Sequence, residues 1–248
     1  MKTQYDDEAF FSAYGRMERS QGGLEASGEW STLKPLIPSV EGRHVLDLGC
    51  GYGWHSAFFA EKGAASVTAV DSSGRMLAVA REKFPDRNID FIQEDILGYR
   101  YPEDGFDLVF SNLALHYIED LDKVYALIHR TLKRQGQLLF TIEHPVYTAG
   151  IRQEFKKDED GLFWPVQGYF RPSVRDTNFL GCSVRKVHHT LSQILEPLIA
   201  LSFHLDAVRE VMPDEAFLEA HPELESELER PMMLIVKATK ENLLDKGL

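Results

Sequence analysis

The segment from Arg43 to His55 reads Arg-His-Val-Leu-Asp-Leu-Gly-Cys-Gly-Tyr-Gly-Trp-His, and it decides the fold. Val45–Leu48 is a short apolar strand that contains one acid and is followed by glycine at every second position. Residues 54–62 then have helical character. A strand, a glycine turn and a helix bring backbone N–H groups and a helix N-terminus close to a ligand, because glycine places no Cβ in the way.

The glycine spacing narrows the class of ligand. A dinucleotide fingerprint needs a third glycine where Trp54 stands, and a phosphate-binding P-loop needs a lysine that does not follow these glycines. Asp47, at the end of the strand, can accept hydrogen bonds from an ammonium group or order water beside it. Asp47 with Gly49, Gly51 and Gly53 therefore favours a ligand that has an amino-acid end and no phosphate. A glycine turn without any ligand is the alternative.

Composition excludes several classes of protein. The chain has 248 residues, 44% of them hydrophobic and 27% charged, which is ordinary for one large α/β domain or one domain with an insertion. Its formal net charge of −12 argues against a nucleic-acid backbone as the main partner. Cys50 and Cys182 are expected to be reduced thiols. We find no signal peptide, no membrane-spanning run and no cluster of His and Cys with the spacing of metal ligands. We therefore expect a cytoplasmic protein without a metal or a membrane partner. A homodimer is possible.

Strands alternate with helices along most of the chain. This alternation indicates βαβ units and a parallel sheet, whose ligands bind at the edge where the carboxyl ends of the strands meet. The predicted strands are residues 43–48, 66–70, 89–93, 106–110, 136–142, 203–211 and 232–238, and the main predicted helices are residues 74–83, 120–132, 189–201 and 214–220.

Four side chains at this edge fit an adenosine group. Asp71 ends the second strand, where an acid can bind both hydroxyls of a ribose, although it could instead cap the next helix. Asp95 follows the third strand, and its carboxylate can accept the exocyclic amine of an adenine, with Ile96 against the ring. Met76, one turn into the helix after Asp71, can cover the other face of the adenine or belong to the core.

Residues 45–53 resemble the first motif of class I S-adenosylmethionine-dependent methyltransferases. Asp71, the step Glu94-Asp95-Ile96 and the run from Phe106 to Tyr117 resemble later motifs of that family, in the same order. The resemblance is close over residues 40–145 and looser over residues 190–240. It implies a Rossmann-like α/β fold with a seven-stranded, mostly parallel sheet, helices on both faces and an antiparallel last strand.

The same resemblance implies S-adenosylmethionine as the cofactor and S-adenosylhomocysteine as the product. It places the methionine part on the glycine turn, the ribose on Asp71 and the adenine amine on Asp95. Ser111, just past the fourth strand, is also predicted to contact the cofactor. The run Ser111–Ala114 lacks the Asn/Asp-Pro-Pro-aromatic signature of members that methylate amino groups of nucleic acids and proteins.

Two segments are predicted to close over this edge. Residues 1–40 form N-terminal lid helices, in which Arg19 could meet the cofactor carboxylate. Residues 143–189 are rich in aromatic residues and proline, which predicts a cap inserted after the fifth strand, with an excursion packed on the sheet edge as the alternative. The whole chain, residues 1–248, is then a single methyltransferase domain.

The resemblance predicts in-line attack of an O, N or C nucleophile of a small molecule on the sulfonium methyl group. His144 and His116 are predicted at the edge where a proton could be accepted, although His116 could pack on the cofactor without chemistry and His144 could be structural. Glu143, Tyr147 and Tyr14 are the predicted substrate contacts. Methylation of tRNA or a protein, and a non-catalytic regulatory protein that binds the cofactor, are the alternatives.

Overall fold

The computed structural model describes residues 3–85, 87–150, 152–213 and 215–241. Its strands are β1 (His44–Leu48), β2 (Ser66–Asp71), β3 (Ile89–Gln93), β4 (Phe106–Asn112), β5 (Leu132–Glu143), β6 (Lys156–Lys157), β7 (Leu162–Phe163), β8 (Ser173–Phe179), β9 (Cys182–His188), β10 (Phe203–Glu210) and β11 (Met233–Lys240). Its α-helices are α1 (Glu8–Gly15), α2 (Glu18–Gln21), α3 (Trp30–Leu33), α4 (Trp54–Glu61), α5 (Gly74–Lys83), α6 (Leu121–Thr131), α7 (Pro145–Ala149), α8 (Leu191–Ala200) and α9 (Glu215–Ala220).

Seven strands form one sheet in the order β10-β11-β5-β4-β1-β2-β3. Strands β1 to β5 run parallel, whereas β11 lies antiparallel between β5 and β10. The chain order reverses between β1 and β4, and parallel α/β sheets bind ligands in the crevice at such a reversal. The predicted Rossmann-like sheet with an antiparallel last strand is confirmed.

The central strands are apolar on both faces because helices cover both sides of the sheet. Val45, Leu46 and Leu48 of β1 are fully buried, as are Val109 and Phe110 of β4. One face of the sheet packs against α6 and α8, and the other packs against α3 and α4. Asp47 is thus the exceptional residue of β1, because it is a buried acid in an apolar strand.

The segment after β5 is more regular than the sequence predicts. It contains α7 and two antiparallel hairpins, β6–β7 and β8–β9. Tyr147 stacks on Trp164, and the guanidinium of Arg230 lies 4.4 Å from the centre of the Trp164 ring. This contact packs residues 143–189 against the chain just before β11.

Two further predictions concern helices. The predicted helix 214–220 is found as α9, and Asp214 lies outside the described residues. None of the helices within the described ranges has both the length and the apolar character that crossing a membrane requires.

Candidate active site

The turn after β1 depends on glycine. Gly49 and Gly51 have φ angles of 74° and 53°, in the left-handed region that favours glycine. A Cβ on Gly49 would lie 2.3 Å from the Cβ of Ala114, so strand β1 and the chain after β4 approach each other only because the side chain is missing. A Cβ on Gly51 would meet nothing within 4 Å and would project into open space. This open backbone is the kind of cradle that a ligand fills.

A cavity of about 620 Å³ lies at the carboxyl edge of the sheet. Most of the predicted site residues line it, namely Tyr14, Arg19, Asp47, Gly49, Gly51, Asp71, Met76, Asp95, Ile96, His116 and Glu143. Gly53, Ser111, His144 and Tyr147 are not among its lining residues. The structure therefore gathers the predicted cofactor acids and three of the predicted acceptor-side residues, Tyr14, His116 and Glu143, around one cavity.

Asp71 is oriented by the backbone of two turns. Its Oδ2 accepts a hydrogen bond from Gly51 N and its Oδ1 accepts one from Ser73 N, both at 2.8 Å. Burial raises the pKa of the Asp71 carboxyl, while these two hydrogen bonds act in the opposite direction. The carboxylate is thus fixed between the glycine turn and the start of α5, where the adenosine part of the predicted cofactor would lie.

Asp47 is almost completely buried, with an exposed fraction of 1%. Its Oδ2 accepts a hydrogen bond from Ser56 Oγ at 2.6 Å. Burial is the main reason that the pKa of Asp47 is raised to about 7, and the negative charge of Asp71 adds to the shift. A cationic group bound near the glycine turn would favour the ionised carboxylate.

The far end of the edge has the character expected for a ring-binding site. Asp95 lines the cavity, and its Oδ1 accepts a hydrogen bond from Leu97 N at 2.9 Å. Ile96 and Met76 also line the cavity and are otherwise buried. A carboxylate and two apolar side chains that line the same cavity can hold a flat group that carries an amine at its rim.

Arg19 is held by a buried acid that the sequence analysis missed. Arg19 Nη2 donates to Glu29 Oε1 at 2.6 Å, and Asn112 Nδ2 donates to the same oxygen at 2.9 Å. Burial would raise the pKa of Glu29, but the Arg19 charge and the Asn112 hydrogen bond outweigh burial and lower it. Asn112 Oδ1 is buried with no partner among the described residues, which is an acceptor left for a bound donor.

The first described residues cover the cavity. Thr3, Gln4 and Tyr5 line it, and the Tyr5 hydroxyl lies 2.8 Å from the hydroxyl of Tyr117. Asp6 Oδ1 accepts a hydrogen bond from Ser73 Oγ at 2.8 Å, and Ser73 N in turn donates to Asp71. Four residues are too few to show a periodic pattern, so no sequence signal marks this cover.

The two predicted histidines occupy different environments. His116 lines the cavity, and its Nδ1 is buried without a partner in the described chain. Burial and the positive charge of Lys186 hold the pKa of His116 well below its usual value, so the ring is neutral at pH 7. His144 lies outside the cavity, where Nδ1 accepts from Val146 N at 3.1 Å and Nε2 lies 3.1 Å from Glu210 Oε1.

Two other predicted residues have partners outside the cavity. The Ser111 hydroxyl donates to Leu48 O at 2.8 Å, and Tyr147 stacks on Trp164 with ring centres 5.3 Å apart. Gly53, with a φ angle of 76°, precedes α4, and its N donates to Cys50 O at 2.9 Å. A direct contact of these three residues with a ligand stays a prediction.

The hairpin β8–β9 supplies a lysine that the sequence analysis did not identify. Lys186 donates to Glu143 Oε1, and the two side chains are 5% and 10% exposed. Lys186 Nζ also lies 5.1 Å from the centre of the Phe179 ring, and all three residues line the cavity. No group of three metal-binding side chains is found in the described ranges.

Comparisons with known proteins agree with this geometry. A family model described as a methyltransferase domain matches residues 46–140. The crystal structure of an S-adenosylmethionine-dependent methyltransferase from Mesorhizobium loti is 39% identical, with a TM-score of 0.83 over 88% of this chain and 100% of that chain. An uncharacterised protein from Haemophilus influenzae is 30% identical over 95% of this chain and 96% of its own length.

A more distant relative has a named substrate. Trans-aconitate 2-methyltransferase from Escherichia coli is 35% identical over 122 residues, which are 49% of this chain and 44% of that protein. Together with the close similarity over the full length of the M. loti enzyme, these matches define the class. The chain belongs to the S-adenosylmethionine-dependent methyltransferases, so the predicted family, enzyme class and cofactor are confirmed.

Proposed function

We propose that this enzyme transfers the methyl group of S-adenosylmethionine to a small molecule that binds under the cap. The observation that carries the proposal is the continuity of the cavity. The glycine turn and the strand-end acids line it, and so do Glu143 and Lys186. A cofactor and an acceptor bound to these two groups of residues would share one cavity.

The cofactor half has a donor or acceptor for each part of the molecule. Gly49 and Gly51 would hold the methionine part, with Asp47 near its ammonium group and Arg19 near its carboxylate. Asp71 would bind the ribose hydroxyls. Asp95 would accept the adenine amine, and Ile96 and Met76 would pack against the ring, while Gly53 and Ser111 support the turn.

The acceptor half would position the nucleophile and exclude water. Bound S-adenosylmethionine supplies an electrophilic methyl group with a neutral thioether as the leaving group. Because this leaving group is good, positioning and exclusion of water can supply much of the acceleration. Tyr5, Tyr14 and Tyr117 wall the cavity, and the neutral ring of His116 is available as a proton acceptor or a packing surface.

The remaining predictions form part of the same proposal. The chain would act as one domain, with residues 1–40 as the lid and residues 143–189 as the cap, in which His144 and Tyr147 hold the cap in place. The free thiols of Cys50 and Cys182 support a cytoplasmic location. The net charge of −12 argues against nucleic acid as the substrate, and a homodimer stays a prediction. The named substrate of the E. coli relative supports a small acceptor.

The proposal is tested by two measurements on the purified protein. Calorimetric titration should give saturable, micromolar-range binding of S-adenosylmethionine and S-adenosylhomocysteine. Incubation with pooled metabolites and a deuterated methyl donor should then give a labelled small product by mass spectrometry. Transfer of the label only to RNA or protein would contradict the proposal, as would tight cofactor binding without any transfer.

A further inference from the structure

The acceptor side of the cavity contains an ion pair whose hydrogen-bonding capacity is only partly used. Glu143 is the last residue of β5, and Lys186 lies on β9. Glu143 Oε1 accepts from Lys186 Nζ, but Glu143 Oε2 is buried without a hydrogen-bond partner in the described chain. Within those ranges Lys186 Nζ donates to no other N or O acceptor and otherwise contacts the rings of Phe179 and Tyr147, so it can still donate to a bound acceptor.

This arrangement calls for a third group. Buried polar atoms almost always have partners, and a buried charged atom left without one is costly. A group that fits here must accept from Lys186 and donate to Glu143. A cationic amine would be attracted by Glu143 but repelled by Lys186, and a carboxylate would be attracted by Lys186 but repelled by Glu143, so the pair gives neither charge a net advantage. A neutral hydroxyl satisfies both members at once.

The pair lies close to the chain that follows β4. The parallel register pairs Asn112 of β4 with Thr141 of β5, and Leu113 N donates to Thr141 O at 2.9 Å. Glu143 therefore follows directly alongside the chain after β4, which approaches the glycine turn at Gly49. Asn112, Leu113 and Ala114, at this point of the chain, all line the cavity.

The walls around the pair are aromatic. Phe179 lies under the Lys186 ammonium group, and Tyr5 and Tyr117 line the same cavity. These walls favour an apolar, flat frame around the polar group. An aromatic ring that carries one hydroxyl combines both features.

We propose that the methyl acceptor is a weakly acidic hydroxyl, such as that of a phenol, held between Glu143 and Lys186; this inference rests on the function proposed above. Glu143 is the proton acceptor, and Lys186 stabilises the negative charge that develops on the oxygen. The acceptor oxygen forms a bond to the methyl carbon as the carbon–sulfur bond breaks, with its electron pair remaining on sulfur. The hydroxyl proton passes to Glu143 Oε2 and is released to solvent after the products leave.

The binding test uses three probes on one ring: 4-methylphenol, 4-methylbenzylamine and 4-methylbenzoate. Each is titrated by calorimetry into the protein saturated with S-adenosylhomocysteine. We expect 4-methylphenol to bind at least about tenfold more tightly than the cationic and anionic probes, because only it satisfies both members of the pair. E143Q and K186M should each remove this preference, whereas K186R should retain part of it.

The turnover test uses a deuterated methyl donor with the same three probes. We expect the label on the oxygen of 4-methylphenol. E143Q should lower kcat by about a hundredfold or more with a smaller change in KM, as for the loss of a general base, and E143D should recover part of it. E61Q makes the same change in the surface pair Glu61–Arg87 and should leave all rates unchanged.

Several results would overturn the inference. Preferred binding or methylation of the amine or the carboxylate would do so, as would binding of none of the probes or an unchanged kcat in E143Q. Affinity for S-adenosylhomocysteine distinguishes failure of the proposed function from failure of the hydroxyl assignment alone. If the wild type does not bind it, the proposed function fails; if wild type and variants bind it equally without a phenol preference, only the hydroxyl assignment fails.

Discussion

The two halves of the cavity are built in different ways. In the cofactor half, Asp47, Asp71 and Asp95 lie at or just beyond the carboxyl ends of three parallel strands, so the sheet itself brings them together. In the acceptor half, Glu143 ends β5 and meets Lys186 from a hairpin more than forty residues further along the chain. The first half depends on backbone topology and the second on tertiary packing. Changes in the first half should therefore act on cofactor binding, and changes in the second on turnover.

The largest effect is expected from Asp47→Asn, measured as stability against pH. The native pKa of about 7 lies above the usual 3.8, so the native state retains a proton that the unfolded state releases between these values. Native stability should therefore fall as pH rises from about 4 to about 7. D47N lacks this dependence and should gain up to about 4 kcal/mol relative to wild type over that window. Urea unfolding at pH 5 and pH 8 measures the difference, and a gap that does not change with pH would contradict it.

Asp71→Ala tests the cofactor half directly. The variant loses the predicted ribose contact and also frees Gly51 N and Ser73 N, which the carboxylate orients. The Kd for S-adenosylhomocysteine should rise by about a hundredfold, or about 3 kcal/mol. Calorimetry measures this, and an unchanged Kd would mean that the ribose assignment is wrong. Asp90→Ala, which changes an exposed acid of β3, is the matched control.

Arg230→Met tests whether the acceptor half is a separate packing unit. Arg230 donates two hydrogen bonds to Glu227, at 2.8 and 2.9 Å, and its guanidinium lies against the rings of Tyr147, Phe155 and Trp164. The variant should lose about 2 kcal/mol of unfolding free energy, measured in urea. Methyl transfer should fall while the Kd for S-adenosylhomocysteine changes less than about threefold. A large loss of cofactor affinity would break the distinction between the halves.

The smallest effect is expected from Asp6→Asn, at the boundary between the halves. Asp6 Oδ1 accepts from Ser73 Oγ, and this hydrogen bond holds the N-terminal cover beside Asp71. Weakening it by about 1 kcal/mol should increase the dissociation rate of S-adenosylhomocysteine about fivefold. Stopped-flow fluorescence measures the rate, with Glu8→Gln as a nearby exposed control. An unchanged rate would show that the cover does not limit release.

The same contrast explains what the sequence could predict. Parallel strands share one carboxyl edge, so the positions of Asp47, Asp71 and Asp95 follow once the strands are recognised. His144 precedes Pro145, the first residue of α7. Proline is common at the first position of a helix, so the sequence indicates that a helix can begin there. The His144 ring caps that helix, which is a structural role of the kind left open as the alternative for this residue.

Other contacts had no local signal. The Ser111 hydroxyl donates to Leu48 O and does not line the cavity. The face of the sheet toward which a strand residue points depends on the pairing register, and the sequence of one strand does not reveal that register. The pairing of Lys186 with Glu143 and the aromatic contacts of Arg230 join residues far apart in sequence. Both sets of contacts depend on the hairpins in residues 143–189, and no periodic sequence pattern in that segment predicted these hairpins.

The position of β11 between β5 and β10 has a consequence for synthesis of the chain. During translation β10 emerges from the ribosome with no neighbouring strand in this sheet, and the free edge of β5 remains unpaired until β11 follows. His144 N, one residue beyond Glu143, donates to Met232 O just before β11. A nascent chain can therefore form the cofactor crevice well before it can complete the acceptor side, and an arrested chain lacking β11 would leave β10 unpaired and one edge of β5 open to aggregation.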